Sequence, residues 1–194
     1  MAKSKVTKEM WLNMGLKTFA EGGMNAINVE KMARSLGCSK GSFYWYFENR
    51  GEFVNEMLQH WVRIGTEEYI ESSGTENSPE AQLERLLLDV FKSKEGRDFM
   101  FHLRHYSQND KEIARILKET EDRRILYIVK ILQNCGLKEN LARDKAELAY
   151  HYYLGWYERT KYLELSEEEL YRQVELLICA MGVRIPIEPS RKDD

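Results

Sequence analysis

The sequence has few of the residues that break helices or cross-link a chain. Only 3 prolines and 12 glycines occur among its 194 residues, so long uninterrupted helices form easily. The 3 cysteines, Cys38, Cys135 and Cys179, form no C-x-x-C pair. Such a set argues against a disulfide framework or a zinc site, and it favours reduced thiols in a cytoplasmic protein.

Two kinds of apolar segment are also missing. No apolar run approaches the roughly 18 residues that a membrane span needs. The N-terminal sequence MAKSKVTKEMWLNMG lacks the apolar core of a signal peptide. Hydrophobic residues nevertheless make up 43% of the chain and charged residues 31%, a balance typical of a soluble protein with a proper core. We therefore expect a cytoplasmic protein with no membrane partner.

The charges are divided unequally along the chain, whose net charge is −3. Residues 1–50 carry eight Lys or Arg and four acidic residues, a net charge of +4, whereas the rest carries 21 basic and 28 acidic residues, a net charge of −7. A basic N-terminal part and an acidic remainder are expected if only the N-terminal part binds a polyanion such as DNA. A basic surface that is merely solvated would have the same composition, so the charge distribution alone does not show that the N-terminal part binds DNA.

Helical periodicity begins near the N-terminus. Apolar residues recur at helical spacing over residues 12–20, and Gly22–Gly23 is expected to end that first helix. A second helix follows, with Asn28 as its N-cap and Gly37 as its stop. Ser39 can cap a third, short helix. No part of the sequence alternates with the period of two that half-buried strands show.

Longer helices fill the rest of the chain. Asn49 is expected to begin a fourth helix, with Glu52 completing a pair that resembles a capping box. The stretch SSGTENSP at 72–79 predicts a loop. Further helices are expected at 80–94, 97–107, 111–135, 141–163 and 167–183, the last after a capping box of Ser166 and Glu169. The terminal RIPIEPSRKDD indicates an extended tail, and the chain as a whole is predicted to be all-α.

The stretch GCSKGSFYWYF, residues 37–47, fits two different functions. Its first five residues match Gly-x-Ser-x-Gly, the spacing of a hydrolase nucleophile elbow with Ser39 as the nucleophile. The same residues fit a tight turn that leads into a short DNA-reading helix. A nucleophile elbow needs a β-strand before the serine, whereas the preceding VEKMARSLG has the apolar spacing of a helix. The context therefore argues against an enzyme and favours a helix–turn–helix.

The aromatic residues set the expected orientation of this short helix. Five adjacent residues, FYWYF, span more than one helical turn, so they cannot all face one core. If Phe43 and Phe47 face inward, the outward side carries Lys40, Gly41, Tyr44 and Trp45, and the flanks carry Ser42 and Tyr46. Lysine and hydroxyl groups suit base edges and phosphates, and a glycine lets the backbone approach closely.

At this point a family resemblance becomes specific. The segment LKTFAEGGMNAINVEKMARSLGCSKGSFYWYFENRGEF resembles the DNA-binding domain of the TetR-type (tetracycline-repressor-like) family, and the resemblance covers about residues 6–64. It implies nine DNA-contacting residues, namely Asn28, Ser39, Lys40, Gly41, Ser42, Tyr44, Trp45, Tyr46 and Arg50. Two positions depart from the family pattern: Gly51 replaces a usual acidic residue, and Asn28 stands where Thr or Ser is commoner.

The resemblance also implies a domain plan and a mode of action. Residues 1–50 would form a three-helix helix–turn–helix DNA-binding domain, and helix four, about 49–73, would connect it to the body. Residues 74–185 would form a larger helical effector-binding and dimerisation domain, and 186–194 a tail. Such proteins act as homodimers on palindromic operators of double-stranded DNA and are released by a small-molecule effector. This implies a repressor, with no cofactor and no enzyme activity.

Two sets of residues in the body are candidates for the remaining roles. The candidate dimer interface comprises Leu148, Tyr152, Gly155, Leu170, Val174, Leu177, Ile178 and Met181. The candidate effector pocket comprises Phe99, Met100, His102, Leu103, Tyr106, Tyr127, Tyr153 and Trp156. Both sets would equally serve the core of a single chain.

The same sequence offers two alternatives to this interpretation. His102 and His105 share one helical face, but a metal site needs more ligands than the sequence places beside them, so no metal is expected. The rival function is an all-helical ligand-binding protein or enzyme whose basic N-terminus is incidental. The charge pattern does not exclude it.

Overall fold

The computed structural model describes residues 6–93 and 98–184, and every regular element in them is helical. The helices are α1 (Lys8–Ala26), α2 (Val29–Ser35), α3 (Lys40–Tyr44), α4 (Arg50–Val62), a π-helical segment (Arg63–Glu67), α5 (Glu68–Gly74), α6 (Pro79–Lys92), α7 (Phe99–Ser107), α8 (Lys111–Asn134), α9 (Glu139–Thr160) and α10 (Glu167–Met181). The prediction of an all-α protein is confirmed. The predicted tail at 186–194 and the predicted helix start at residue 97 lie outside the described residues.

Most of the predicted helix starts are made by the expected side chains. Asn28 Oδ1 accepts a hydrogen bond from Lys31 N at 2.9 Å, and Asn49 Oδ1 accepts one from Glu52 N at 3.0 Å. The capping box before α10 is complete. Ser39 is different, because it occupies the N-cap position of α3 while its side chain makes no capping hydrogen bond. The expectation that Ser39 caps α3 with its hydroxyl is therefore wrong.

The glycine pair interrupts α1 with a kink at which both residues leave helical geometry. Gly23 has φ 64° and ψ −156°, outside the helical region, yet the helix resumes and runs to Ala26. Only glycine adopts this backbone conformation without strain. Helical geometry thus stops at Gly22–Gly23 as predicted, whereas the short helical segment that follows the kink, up to Ala26, was not predicted.

The predicted fourth helix is divided by the π-helical segment Arg63–Glu67. The described helical stretch still runs from Arg50 to Gly74, so its extent agrees with the prediction of about 49–73. The predicted loop at 72–79 shrinks to a short turn, because α5 reaches Gly74 and α6 begins at Pro79. Ser78 caps α6 through a hydrogen bond from Ala81 N.

The described residues group into two compact units. One consists of residues within Met1–Glu67 and Glu95–Glu121, and the other of residues within Glu68–Lys94 and Asp122–Asp194. The chain passes from the first unit to the second after the π-helical segment and again within α8. The first unit is larger than the predicted DNA-binding domain because α7 packs against α1: the ring centroids of Phe19 and Phe99 lie 4.9 Å apart.

Each unit has its own core. In the first unit, aromatic side chains from α1, α3 and α4 are almost fully buried, among them Trp11, Phe43 and Phe53. In the second unit the core joins aliphatic residues of α6, α8, α9 and α10. Burial of apolar surface on this scale is the main favourable contribution to folding.

Candidate nucleic-acid interface

The turn between α2 and α3 has the geometry of a helix–turn–helix. Gly37 has φ 66°, in the left-handed region that glycine tolerates best. Cys38 N donates to Ala33 O at 3.0 Å, so the turn closes directly onto the end of α2. The residues before Ser39 are helical, and the strand that a serine nucleophile elbow requires is absent from this part of the described chain.

Helix α3 is anchored by buried Phe43 and by buried Phe47 just after the helix ends. Phe43 is 0% exposed and Phe47 is 1% exposed. The Phe43 ring lies 5.3 Å from that of Trp11 on α1 and 5.2 Å from that of Phe53 on α4, measured between centroids. Aromatic pairs at these distances add to the free energy gained by burial. A helix of five residues is thereby held in one orientation by α1 and α4.

The opposite side of α3 faces solvent. Lys40 and Gly41 are exposed, Tyr44 is 54% exposed and Trp45 is 78% exposed. Exposed aromatic side chains beside a lysine are unusual for a surface without a partner. The predicted orientation of this helix is confirmed, while the role of these residues as DNA contacts stays a prediction.

Two predicted DNA contacts on the flanks of α3 are held by other parts of the unit. Ser42 is half-buried and its Oγ accepts a hydrogen bond from Trp11 Nε1 at 3.4 Å. Tyr46 is also half-buried, and its hydroxyl donates to Val6 O at 2.9 Å. These bonds fix both side chains, so their polar atoms are less available to DNA than the sequence suggested.

The remaining predicted contacts, Asn28 and Arg50, are exposed but already make hydrogen bonds. Asn28 accepts the capping bond at the start of α2. The Arg50 guanidinium donates to the carbonyl oxygen of Met24. This bond ties the first turn of α4 to the last turn of α1. Arg50 can therefore serve the fold as well as a phosphate, a double role that the sequence did not suggest.

Lys40 makes an ion pair with Glu30, a residue that sequence reasoning did not single out. Lys40 Nζ lies 3.0 Å from Glu30 Oε1, and the side chains are 50% and 66% exposed. The hydrogen bond from Lys40 lowers the pKa of Glu30, and the same bond raises the pKa of Lys40. Arg34, one helical turn after Glu30, also lowers the Glu30 pKa slightly.

The structure places the predicted effector-pocket residues in both units. Phe99, Met100, His102, Leu103 and Tyr106 belong to α7, where several pack on Phe19 of α1. In the second unit Tyr153 and Trp156 pack on Phe91, with centroid distances of 5.3 Å and 4.5 Å. Tyr127 is held by Ser73, whose Oγ lies 2.9 Å from the tyrosine hydroxyl. Burial raises the pKa of Tyr153.

An open groove of about 640 Å³ lies along α9 and α10 in the second unit. Three of the predicted residues line it, namely Tyr152 and Gly155 of the dimer set and Trp156 of the pocket set. Tyr152 donates a hydrogen bond from its hydroxyl to Gln173 on α10. The sequence did not indicate this groove because it depends on how α9 and α10 pack.

The predicted dimer residues differ in their exposure. The five on α10, Leu170, Val174, Leu177, Ile178 and Met181, are at most 7% exposed and belong to the core of the second unit. Leu148 on α9 is 63% exposed, and Gly155 is also exposed. The apolar face of α10 thus serves the core of the chain itself, which was the alternative that the sequence left open. A role of these residues in a dimer stays a prediction.

The described residues hold no group of His, Cys, Asp or Glu that could bind a metal ion. The three cysteines are free thiols. Within 6–93 and 98–184, no helix has both the length and the apolar character needed to cross a membrane.

Comparison with known proteins bears on the same surface. Residues 12–57 match the model of bacterial regulatory proteins of the tetR family. The transcriptional regulator SrpR of Pseudomonas putida is 23% identical over 137 residues, which cover 69% of this chain and 62% of the regulator. The probable acrEF/envCD operon repressor of Escherichia coli K12 is 27% identical over 89 residues, 45% of this chain and 40% of the repressor. The chain thus spans less than two thirds of the length of these curated relatives.

Among solved structures, a TetR-like transcriptional regulator from Rhodococcus sp. RHA1 superposes with a TM-score of 0.71 at 17% identity, over 95% of this chain and all of the other. At that identity the likeness establishes the fold alone, and it does so over nearly the whole chain. The family match coincides with the helix–turn–helix described above. The helix–turn–helix region, residues 12–57, is thus of the kind found in the tetR family of bacterial regulatory proteins.

Proposed function

We propose that the protein is a cytoplasmic, DNA-binding transcriptional regulator without enzyme activity. It acts as a homodimeric repressor on a palindromic operator and is released by a small-molecule effector. The observation that carries the proposal is the two-sided character of α3 and the turn after it: Phe43 and Phe47 are buried, whereas Lys40, Tyr44 and Trp45 are exposed. A relative named as an operon repressor supports repression rather than activation.

The exposed side of α3 suits a major groove. Lys40 can donate to guanine O6 and N7 or to a phosphate, and Gly41 lets the backbone come close to the DNA. Tyr44 offers a hydroxyl to phosphates, and Trp45 offers apolar surface to thymine methyl groups. Asn28, Ser39 and Arg50 stand at the starts of α2, α3 and α4, where phosphate contacts are expected.

A dimer is proposed because one helix of five residues reads too few bases for useful affinity. Two copies on half-sites about one DNA turn apart, ~34 Å, double the contacts and explain a palindromic operator. The exposed Leu148 and Gly155 of α9 offer apolar surface and close approach for a second copy. We assign dimerisation and effector binding to the helices of residues 74–185.

Release by an effector requires two states of the protein with different affinity for the effector. The effector must bind more tightly to the state in which the two recognition helices no longer match their half-sites. The first unit passes into the second through the continuous helical stretch of α4, the π-helical segment and α5. A change of conformation in this stretch is the simplest route from effector to recognition helix.

Selection from a random duplex library tests DNA binding. The purified protein is expected to enrich an inverted repeat, and its affinity for the selected duplex should fall steeply between about 50 and 200 mM salt. Lys40→Ala and Tyr44→Ala should each weaken binding about fivefold or more. Lys130→Ala and Tyr171→Ala are matched controls, since both residues are exposed in the second unit, and they should leave binding unchanged.

Failure to enrich any sequence, together with binding that does not respond to salt, would refute the proposal. If Lys40→Ala and Tyr44→Ala behave as their controls and the protein turns over a substrate, the rival function is correct. A thermal-shift screen of small molecules tests the effector, because a ligand that binds the folded state raises the unfolding temperature. A hit must also release the selected duplex.

A further inference from the structure

The recognition helix has one cationic side chain, and that side chain is already engaged. Within α3 (Lys40–Tyr44) only Lys40 is a lysine or arginine. Its ammonium group lies 3.0 Å from the Glu30 carboxylate. Glu30 belongs to the first turn of α2, where the helix dipole favours an anionic side chain. A carboxylate is therefore stably placed beside the group that is expected to meet the DNA.

We propose that Glu30 competes with DNA phosphates for Lys40 and thereby lowers the affinity of the recognition helix for DNA of any sequence. The proposal rests on the proposed function. Glu30 acts through Lys40, so it is a positioning residue rather than a DNA contact. In this role it weakens binding to random-sequence DNA and to the operator alike.

The Lys40–Glu30 ion pair is weak enough for DNA phosphates to displace Glu30. Both side chains are at least half exposed, and exposed ion pairs are weak because water and salt screen them. A duplex presents a dense row of phosphates, which outcompetes one solvated carboxylate. DNA phosphates can therefore replace Glu30 as the partner of Lys40, but the Lys40–Glu30 ion pair must break before Lys40 contacts the DNA. The expected penalty is roughly two- to fivefold in affinity.

Counterion release gives a second, independent signature. A lysine that is free before binding contributes fully to the salt dependence, whereas a lysine already paired with a carboxylate contributes less. Removing the Glu30 charge should therefore steepen the plot of log affinity against log salt by up to about 0.9. Removing the Lys40 charge should make it shallower by a similar amount. A change that only disturbed folding would not alter this slope in opposite directions.

A double-mutant cycle tests the proposal. The variants are Glu30→Gln, Lys40→Gln and the double variant, each assayed on a labelled random-sequence duplex and on the selected duplex across salt concentrations. Glu147→Gln is the matched control, because Glu147 is exposed on α9 and its substitution changes the net charge equally. Glu30→Gln should bind both duplexes roughly two- to fivefold more tightly than the wild type. In the Lys40→Gln background the same change should have less than half that effect.

Several results would overturn the inference. Weaker binding by Glu30→Gln to the selected duplex alone would mean that the carboxylate reads a base, since a glutamate can accept from cytosine N4. An equal gain with and without Lys40 would mean that Glu30 repels the DNA directly. An unchanged slope, or a gain matched by Glu147→Gln, would also contradict it. A wild type that binds neither duplex would instead refute the proposed function itself.

Discussion

The kink in α1 allows a sharp test of how the first unit is held together. Gly23 has φ 64° and ψ −156°, a conformation that other residues adopt only under strain. It is also a point of close contact with α7. A Cβ atom at this position would lie 2.8 Å from Tyr106 Cε2 and 3.0 Å from His102 Nδ1. Gly23→Ala therefore introduces backbone strain and a steric clash at the same site.

The two penalties have the same sign. Backbone strain in this region costs about 1–3 kcal/mol, and overpacking of a well-filled site costs about 1–3 kcal/mol. The lower entropy of the unfolded alanine chain offsets about 0.4–1 kcal/mol. We therefore expect Gly23→Ala to lower the free energy of unfolding by about 1–5 kcal/mol. For a chain of this length that corresponds to roughly 2–20 °C in the midpoint of thermal unfolding.

Gly22→Ala is the matched control for this measurement. Gly22 has a negative φ, and a Cβ there meets one neighbouring atom closely, Ala26 Cβ at 3.0 Å. Its effect should stay near 1 kcal/mol or below. Thermal unfolding followed by far-UV circular dichroism compares the two variants with the wild type. If Gly23→Ala unfolds at the same temperature as Gly22→Ala, neither the strain nor the contact with α7 stabilises the unit as we infer.

Three further predictions concern α3 and α10. Phe43→Ala should destabilise the first unit by about 3–5 kcal/mol, since the buried ring leaves a cavity; chemical denaturation measures this, and a loss below about 1 kcal/mol would contradict the anchoring of α3. Gly41→Ala should raise stability slightly, because Gly41 is exposed with negative φ, yet weaken DNA binding several-fold if the backbone approaches DNA there; unchanged binding in a gel shift would exclude that approach. Glu169 has a pKa lowered from its ordinary 4.5 by hydrogen bonds from the Ser166 backbone and hydroxyl. Its contribution to stability is therefore complete above that value and is lost as the pH falls through the lowered pKa. Denaturant unfolding across pH should show the advantage of the wild type over Glu169→Gln disappearing in acid, and a pH-independent difference would contradict this.

Local patterns in the sequence predicted the features that depend on neighbours along the chain. Helix starts at Asn28, Asn49 and Ser166 follow from side chains that bond to amides two or three residues later. The inward position of Phe43 and Phe47 follows from a separation of four residues, about one helical turn. Such signals act within a few residues, so they can be read without knowing the fold.

Features made by distant residues were not accessible in this way. The prediction missed the resumption of α1 beyond Gly23, the π-helical segment before α5, and the Lys40–Glu30 pair. The contact between α1 and α7 through Phe19 and Phe99 was not predicted either. Each of these features depends on which helices pack together. A single sequence shows which face of a helix is apolar, but it does not show which other helix covers that face.

The amino-acid sequence by itself determined an all-α chain with a basic N-terminal part, a short helix after the turn at Gly37, and the side of that helix that faces solvent. These follow from helical periodicity, capping side chains and charge, all of which are local properties. Only the tertiary structure decided that the apolar face of α10 is buried in the chain's own core and that Glu30 holds Lys40. Both outcomes depend on packing between helices. The sequence shows that a helix has an apolar face or a charged side chain, but the residues that contact it are set only by the packed structure.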